Sequence, residues 1–196
     1  MADRDDTRFR AGQTALIMRI PEAEPVVGAW RDRLDHSARA GVPAHVSVLY
    51  PFLDESRITP ATLAALAAIL HPVHAFDLRF ERTGRFPGGL YLAPEPGDRL
   101  KRLTLAVAER WPEAPPYGGR YPEVVPHLTV AQRADEAALA AAETDLRDRL
   151  PFTARVRSVE LVAFDGTAWR ERTSFALREP SRDPSPEPSR ESETRK

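Results

Sequence analysis

Apolar and polar positions along this chain repeat in an order that occurs twice. From Glu22 to Ala40, the residues Val26, Val27, Trp30 and Leu34 fall on one face of a predicted helix. A strand-like segment follows, Ala44-His45-Val46-Ser47-Val48. The next helix is predicted from about Pro60 to Leu70, with Thr59 as N-cap and Pro60 at the first helical position. Phe76 to Arg82 alternates as a half-buried strand does, and a turn at Gly88-Gly89 leads into a hairpin partner, Leu90 to Ala93. Then the order returns. Gly97 to Trp111 places Leu100, Leu103 and Val107 on one helical face, and Pro126-His127-Leu128-Thr129-Val130 is the second strand-like segment. Asp135 is predicted to cap a helix reaching about Leu150, with the stripe Leu139, Ala142, Leu146 and Leu150. Phe152 to Phe164 reads as one long strand whose phase slips near Arg157-Ser158, as at a bulge. Asp165-Gly166 marks a turn, and Thr173 to Arg178 is the closing strand.

A repeated unit of about 80 residues is too long for a solenoid. It predicts an α+β fold of two similar lobes, with antiparallel sheets lining a central cleft and helices outside. A pseudo-twofold axis would bring the two histidine strands together. The expected organisation is one two-lobed domain over residues 13–178, with disordered ends at 1–12 and 179–196. The last stretch mixes Pro, Ser, Glu and Arg without apolar periodicity.

The two strand-like segments carry the same pattern of histidine, apolar, hydroxyl, apolar. Residues i and i+2 of a strand share a face, so each segment presents an imidazole beside a hydroxyl, with Val46 and Val48 or Leu128 and Val130 behind them. Two imidazoles can serve as general base and general acid. The hydroxyls of Ser47 and Thr129 can donate to phosphate oxygens. A single H-x-[ST] is weak evidence; the repeat of the whole context gives the pair its weight.

Composition narrows the partners. The formal net charge of −1 argues against a long, salt-dependent footprint on duplex nucleic acid and fits a nucleotide or an RNA end. With no cysteine, disulfides and thiol catalysis are excluded and a reducing cytoplasm is compatible. No apolar stretch is long enough to span a bilayer, and the charged start of the chain is not followed by a signal-peptide core. A cytoplasmic monomer is expected.

These residues resemble the two-histidine (2H) phosphoesterases, which include the bacterial RNA 2′,5′-ligase-like proteins and cyclic phosphodiesterases. The resemblance rests on H-V-S-V at 45–48 and H-L-T-V at 127–130 and covers roughly Thr14 to Arg178. It implies a metal-independent and cofactor-free reaction on 2′,3′-cyclic phosphates of nucleotides or RNA ends. By the same resemblance, His45 and His127 are the acid–base pair, and Ser47 and Thr129 bind the non-bridging oxygens. Several ligase-like members carry arginine five residues after the second histidine. Here Gln132 stands there with Arg133 next, which favours hydrolysis of cyclic phosphate over RNA ligation.

Further candidates follow from what such a site needs. Tyr50 and Tyr91 are placed to stack on a base, and Phe52 is either a stacking or a core residue. Tyr117 and Tyr121 flank Gly118-Gly119 in a loop that either covers substrate or is ordinary surface. Arg85, Arg120 and Arg133 lie near strand ends and read as solvated surface arginines. His36, His71 and His74 sit near helix ends and read as structural. A zinc site on His45 and His127 would need ligands that neither motif offers. Two other functions stay open: a nucleotide-binding module without turnover, and a 2′,5′-RNA ligase or phosphodiesterase. A shared site requires the two histidine rings to lie within about 10 Å, since one phosphate must reach both.

Overall fold

The computed structural model describes residues 9–179. Their centre is one eight-stranded antiparallel sheet in the order β6-β3-β4-β5-β2-β1-β7-β8. The strands are β1 (Thr14–Arg19), β2 (His45–Leu49), β3 (Phe76–Phe86), β4 (Gly89–Glu95), β5 (Leu128–Gln132), β6 (Phe152–Val156), β7 (Ser158–Phe164) and β8 (Trp169–Ala176). The helices are α1 (Glu24–Leu34), α2 (His36–Arg39), α3 (Pro60–Leu70), α4 (Gly97–Arg110) and α5 (Glu136–Arg147). The sheet is two four-stranded lobes joined where Val46 of β2 pairs with Leu128 of β5. Helices and sheet enclose one large apolar core that includes Leu16, Val27, Leu66, Leu100 and Leu139. The predicted duplicated α+β fold is present.

The lobes exchange their helices. α1 packs on β5 and α4 on β2, so the helix leading into each histidine strand lies on the other lobe. Trp30 of α1 donates its indole N–H to Asp145 of α5 at 2.8 Å, tying the same side together.

Several elements differ from the sequence reading, among them the closing strand: β8 runs Trp169–Ala176 rather than Thr173 to Arg178. Phe152 to Phe164 is not one bulged strand. β6 pairs with β3 at one edge of the sheet, and β7 pairs with β1 in the other lobe. Only Arg157 separates β6 from β7, so the sheet must curl to bring its β6 edge within one residue of β7, the strand next to its other edge. The helix from Glu22 to Ala40 is broken at Asp35, which adopts extended backbone (φ −121°, ψ 113°) and caps α2 by accepting the Ser37 N–H at 2.9 Å. His36 therefore starts a short helix rather than ending a long one. α5 stops at Arg147, three residues before Leu150. Alternation predicts no element at β1, because Thr14 to Met18 are buried on both faces.

At the N-terminus, residues 1–8 of the stretch expected to be disordered lie outside the described residues, as do 180–196 at the other end. Phe9 packs its ring against Trp169 at 5.1 Å and His36 at 5.0 Å.

Candidate active site

The two motif strands present their histidines as the alternation predicts. Val46, Val48, Leu128 and Val130 are buried in the main core, while His45, Ser47, His127 and Thr129 are half-buried on the opposite face. The Val46–Leu128 register sets His45 opposite Thr129 and Ser47 opposite His127. The four positions thus form a two-by-two block in which diagonal Cα atoms are about 7–8 Å apart, a spacing that lets two long side chains reach one phosphate.

Beyond each motif the chain carries an extra residue. Leu16 and Ile17 of β1 pair with Leu49 and Ser47, which leaves Val48 as a bulge in β2. Leu90 and Tyr91 of β4 pair with Ala131 and Thr129, which leaves Val130 as the matching bulge in β5. Val48 and Leu49, like Val130 and Ala131, both face the core. The alternation restarts one residue late, so the fifth residue after each histidine, Tyr50 or Gln132, turns to the cleft face. Tyr50 joins a small second cluster there with Ile17, Val42 and Trp169, whereas Gln132 is exposed. Without the bulges both would have faced the core.

Each histidine is held by the carbonyl two residues before it. His45 Nδ1 lies 2.8 Å from Pro43 O, and His127 Nδ1 lies 2.7 Å from Val125 O. A carbonyl only accepts, so Nδ1 carries the proton and donates in both rings. Nε2 is then the one nitrogen of each ring free to take or give a proton.

The electrostatics of the two rings differ. Burial and the nearby Arg31 guanidinium push His45 down to about 4; the Pro43 hydrogen bond, Asp35 and the other imidazole act on it less. Arg31 is itself buried. Its Nη2 donates to Asp35 Oδ2 and to Val42 O, each at 3.0 Å, while the Ala44 N–H donates to Glu24 Oε1 at 2.6 Å. This network anchors the loop that delivers His45. Burial also lowers His127, against the raising effect of its bond to Val125 O.

Aromatic rings surround His127. Phe86 and Tyr91 meet it edge-on at 5.2 and 5.7 Å, and Tyr117 lies nearly parallel to it at 6.1 Å. Tyr117 also donates its hydroxyl to Val125 O at 3.1 Å, the same carbonyl that orients His127, and its own N–H donates to Tyr50 O at 2.8 Å. It does so from left-handed backbone (φ 56°), a strained state for a tyrosine, followed by Gly118 and Gly119 in the same region. The loop 117–119 is therefore fastened between the ends of the two motifs. Tyr121 beyond it is 66% exposed.

Tyr91 keeps its place because its neighbour lacks a side chain. A Cβ on Gly84 would lie 2.3 Å from the Tyr91 ring. Gly84→Ala is expected to swing Tyr91 off the cleft and out of its 4.4 Å stack on Phe86 while leaving the sheet folded. Nucleotide affinity should fall several-fold with the melting temperature little changed, by calorimetric titration and thermal unfolding; unaltered affinity would remove Tyr91 from the site.

The other predicted residues sort by packing. Phe52 is core, set edge-on against Trp111 at 5.2 Å. Arg85 is committed to Glu136 and Glu143 of α5 at 2.6 and 2.7 Å. His71 caps the C-terminus of α3 and, like His74, is exposed. Among the described residues no three His, Asp or Glu side chains converge as a metal site would require, and no helix is long and apolar enough to cross a membrane. Sequence reasoning missed Phe86, Arg31 with Asp35, and the orienting carbonyls of Pro43 and Val125. Only the carbonyls leave a trace, a proline just before or at the residue preceding each histidine.

A sequence model of the 2′-5′ RNA ligase superfamily matches residues 20–168, and the chain belongs to that superfamily. Its fold is similar to that of Escherichia coli LigT complexed with 3′-AMP (TM-score 0.55, 18% identity), covering 86% of this chain and 99% of LigT. TT0787 of Thermus thermophilus is similar to the same degree (TM-score 0.55, 19% identity), over 85% of this chain and 98% of that one. So is a further structure described as a phosphoesterase (TM-score 0.54, 19% identity), over 86% and 99%. No curated protein sequence matches the chain.

Proposed function

We propose that this protein is a metal-independent cyclic phosphodiesterase that opens 2′,3′-cyclic phosphates of nucleotides or RNA ends. The observation that carries the reading is the block of His45, Ser47, His127 and Thr129, with both Nδ1 atoms tied to carbonyls so that two Nε2 atoms serve one phosphate. LigT, of the same fold, has been captured with 3′-AMP, ATP and NADP+, which supports a nucleotide ligand.

In this mechanism His45 is the base. Burial first and then the Arg31 guanidinium disfavour its imidazolium, so it starts neutral at pH 7. It takes a proton from water as the water oxygen attacks phosphorus. His127 is the acid: burial lowers it in the free protein, so it reacts from its protonated fraction, which the bound anionic phosphate raises. It gives its proton to O3′ as the P–O3′ bond breaks, leaving a 2′-phosphate. Ser47 and Thr129 donate to the non-bridging oxygens, where charge collects in the transition state. Tyr91 offers a face to the base, and Gln132 an amide at the cleft edge. The neutral Gln132, in place of an arginine, favours hydrolysis over ligation.

The test is turnover of the four nucleoside 2′,3′-cyclic phosphates in EDTA, with the product identified. Hydrolysis to the 2′-phosphate is expected, with a bell-shaped profile of kcat/KM. Both imidazoles lie below 6.5 in the free protein, so the basic limb of that profile should fall below pH 6.5 and the acid limb near 4. Bound anion favours protonation, so the kcat profile should sit at higher pH. Nucleotide binding without turnover would leave a binding module instead.

A further inference from the structure

We infer that a basic pocket beside the cleft holds the phosphate next along an RNA strand, so that the substrate is an oligonucleotide end rather than a free mononucleotide. This rests on the cyclic phosphodiesterase reading. The pocket has a volume of about 220 Å³ and is lined by Arg33, His36, Arg39, Gln132 and Arg133 among others. It joins the end of α1 and α2 to the end of β5.

Three arginines line it, with no carboxylate among the lining residues. Among the described residues, arginines elsewhere are mostly ion-paired, as Arg85, Arg149 and Arg172 are. Arg33, Arg39 and Arg133 have no acidic partner within ion-pair distance among those residues. Arg33 instead lies over the Trp30 ring at 4.8 Å, and Arg39 donates Nη1 to Arg33 O at 2.9 Å. These three side chains are exposed, so an anion entering the pocket would meet positive charge that no neighbouring carboxylate neutralises.

The backbone is arranged to bring Arg133 there. It adopts left-handed conformation (φ 53°), one of two non-glycine residues with positive φ among those described. The other is Tyr117, beside His127. Such strain persists where surrounding structure enforces it and concentrates at binding sites. Here the Ala134 N–H donates to Gly88 O at 3.1 Å, folding the chain back just after the turn at Arg133.

The placement suits a strand leaving the catalytic block. Gln132 lines the pocket and shares the cleft face with Thr129, about 10 Å away by the rise of a strand. A short stretch of extended single strand covers that span. His36 also lines the pocket, stacked on Phe9 at 5.0 Å. Its proton affinity is lowered first by burial and then, against Asp35, by Arg133 and Arg39, so at neutral pH it is a neutral donor that phosphate would pull toward protonation.

The shared chemistry is a phosphate on the 5′ side of the reacting nucleoside, and the test separates its sources. Three substrates are compared at low salt: a nucleoside 2′,3′-cyclic phosphate, the same compound with a 5′-phosphate, and a trinucleotide ending in a 2′,3′-cyclic phosphate. The trinucleotide should exceed the nucleoside in kcat/KM by about tenfold or more, with the steeper salt dependence. The double variant Arg39→Gln/Arg133→Gln should bring that ratio close to one. Titration with a trinucleotide bearing a 2′-phosphate should raise the His36 pKa, read by NMR. Equal kcat/KM for nucleoside and trinucleotide, or a ratio untouched by the double variant, overturns the inference and leaves the phosphodiesterase reading standing. A 5′-phosphorylated nucleoside as good as the trinucleotide also overturns it, in favour of a small bisphosphate. No turnover of any of the three overturns both.

Discussion

Replacing either histidine by glutamine is expected to lower kcat on cyclic phosphate by about 10²- to 10⁴-fold, the range of one positioned proton transfer. The double variant should be little worse than the weaker single, because the two transfers belong to one displacement and neither ring is useful alone. Nucleotide affinity should change only a few-fold, since Ser47, Thr129 and Tyr91 remain. Glutamine is the informative replacement: it fills similar space on half-buried strand positions, so loss of activity reports lost proton transfer rather than a cavity. Single-turnover kinetics with each purified variant, alongside its nucleotide Kd, is the measurement. A loss below tenfold in either variant would rule out acid–base catalysis by the pair.

The histidine block was legible because its signal is local. Alternation needs only i and i+2, and the same four-residue pattern stands in two similar contexts. Tyr91 was legible for the same reason, with Leu90 and Leu92 facing the core on either side. What failed in each case depends on contacts across the fold. A phase slip at Arg157 looks identical whether the strand bulges or ends; only the pairing of β6 with β3 and of β7 with β1 decides.

Gln132 is the more instructive case. Counting by twos from His127 puts it with the core residues, and its candidacy came from family resemblance alone. The bulge at Val130 reverses that parity, and the equivalent bulge at Val48 does the same for Tyr50. The two lobes then use the shared geometry differently. In the first, Tyr50 helps close an apolar cluster over β1; in the second, the equivalent face stays open to Tyr91 and Gln132. The duplicated geometry thus ends in a packed face beyond the first motif and an open one beyond the second.

Breaking the buried pair behind His45 is expected to cost the most stability. Arg31 is 2% exposed and Asp35 0%, and together they hold Val42 and the cap of α2. Removing one partner leaves the other charge buried, at a cost of about 3–5 kcal/mol. That corresponds to a fall in melting temperature on the order of 10 °C for a domain of this size. Arg31→Met and Asp35→Asn should both show it, but they should move His45 in opposite directions. Without Arg31 the imidazolium loses a repulsive neighbour and its pKa rises; without Asp35 it loses an attractive one and the pKa falls. The acid limb of kcat/KM should follow, to higher pH in Arg31→Met and to lower pH in Asp35→Asn. Stability against pH carries the same sign. A folded-state pKa below the unfolded 6.5 means that the folded protein binds fewer protons, so this contribution is present above 6.5 and lost as pH falls toward about 4. Arg31→Met narrows that window: less stable than the parent at pH 7, it should lose less on acidification. Thermal unfolding from about pH 7.5 to about 4.5 and the two pH–rate profiles give the answer. Equal destabilisation without opposed shifts would make the pair a structural brace that plays no part in tuning His45.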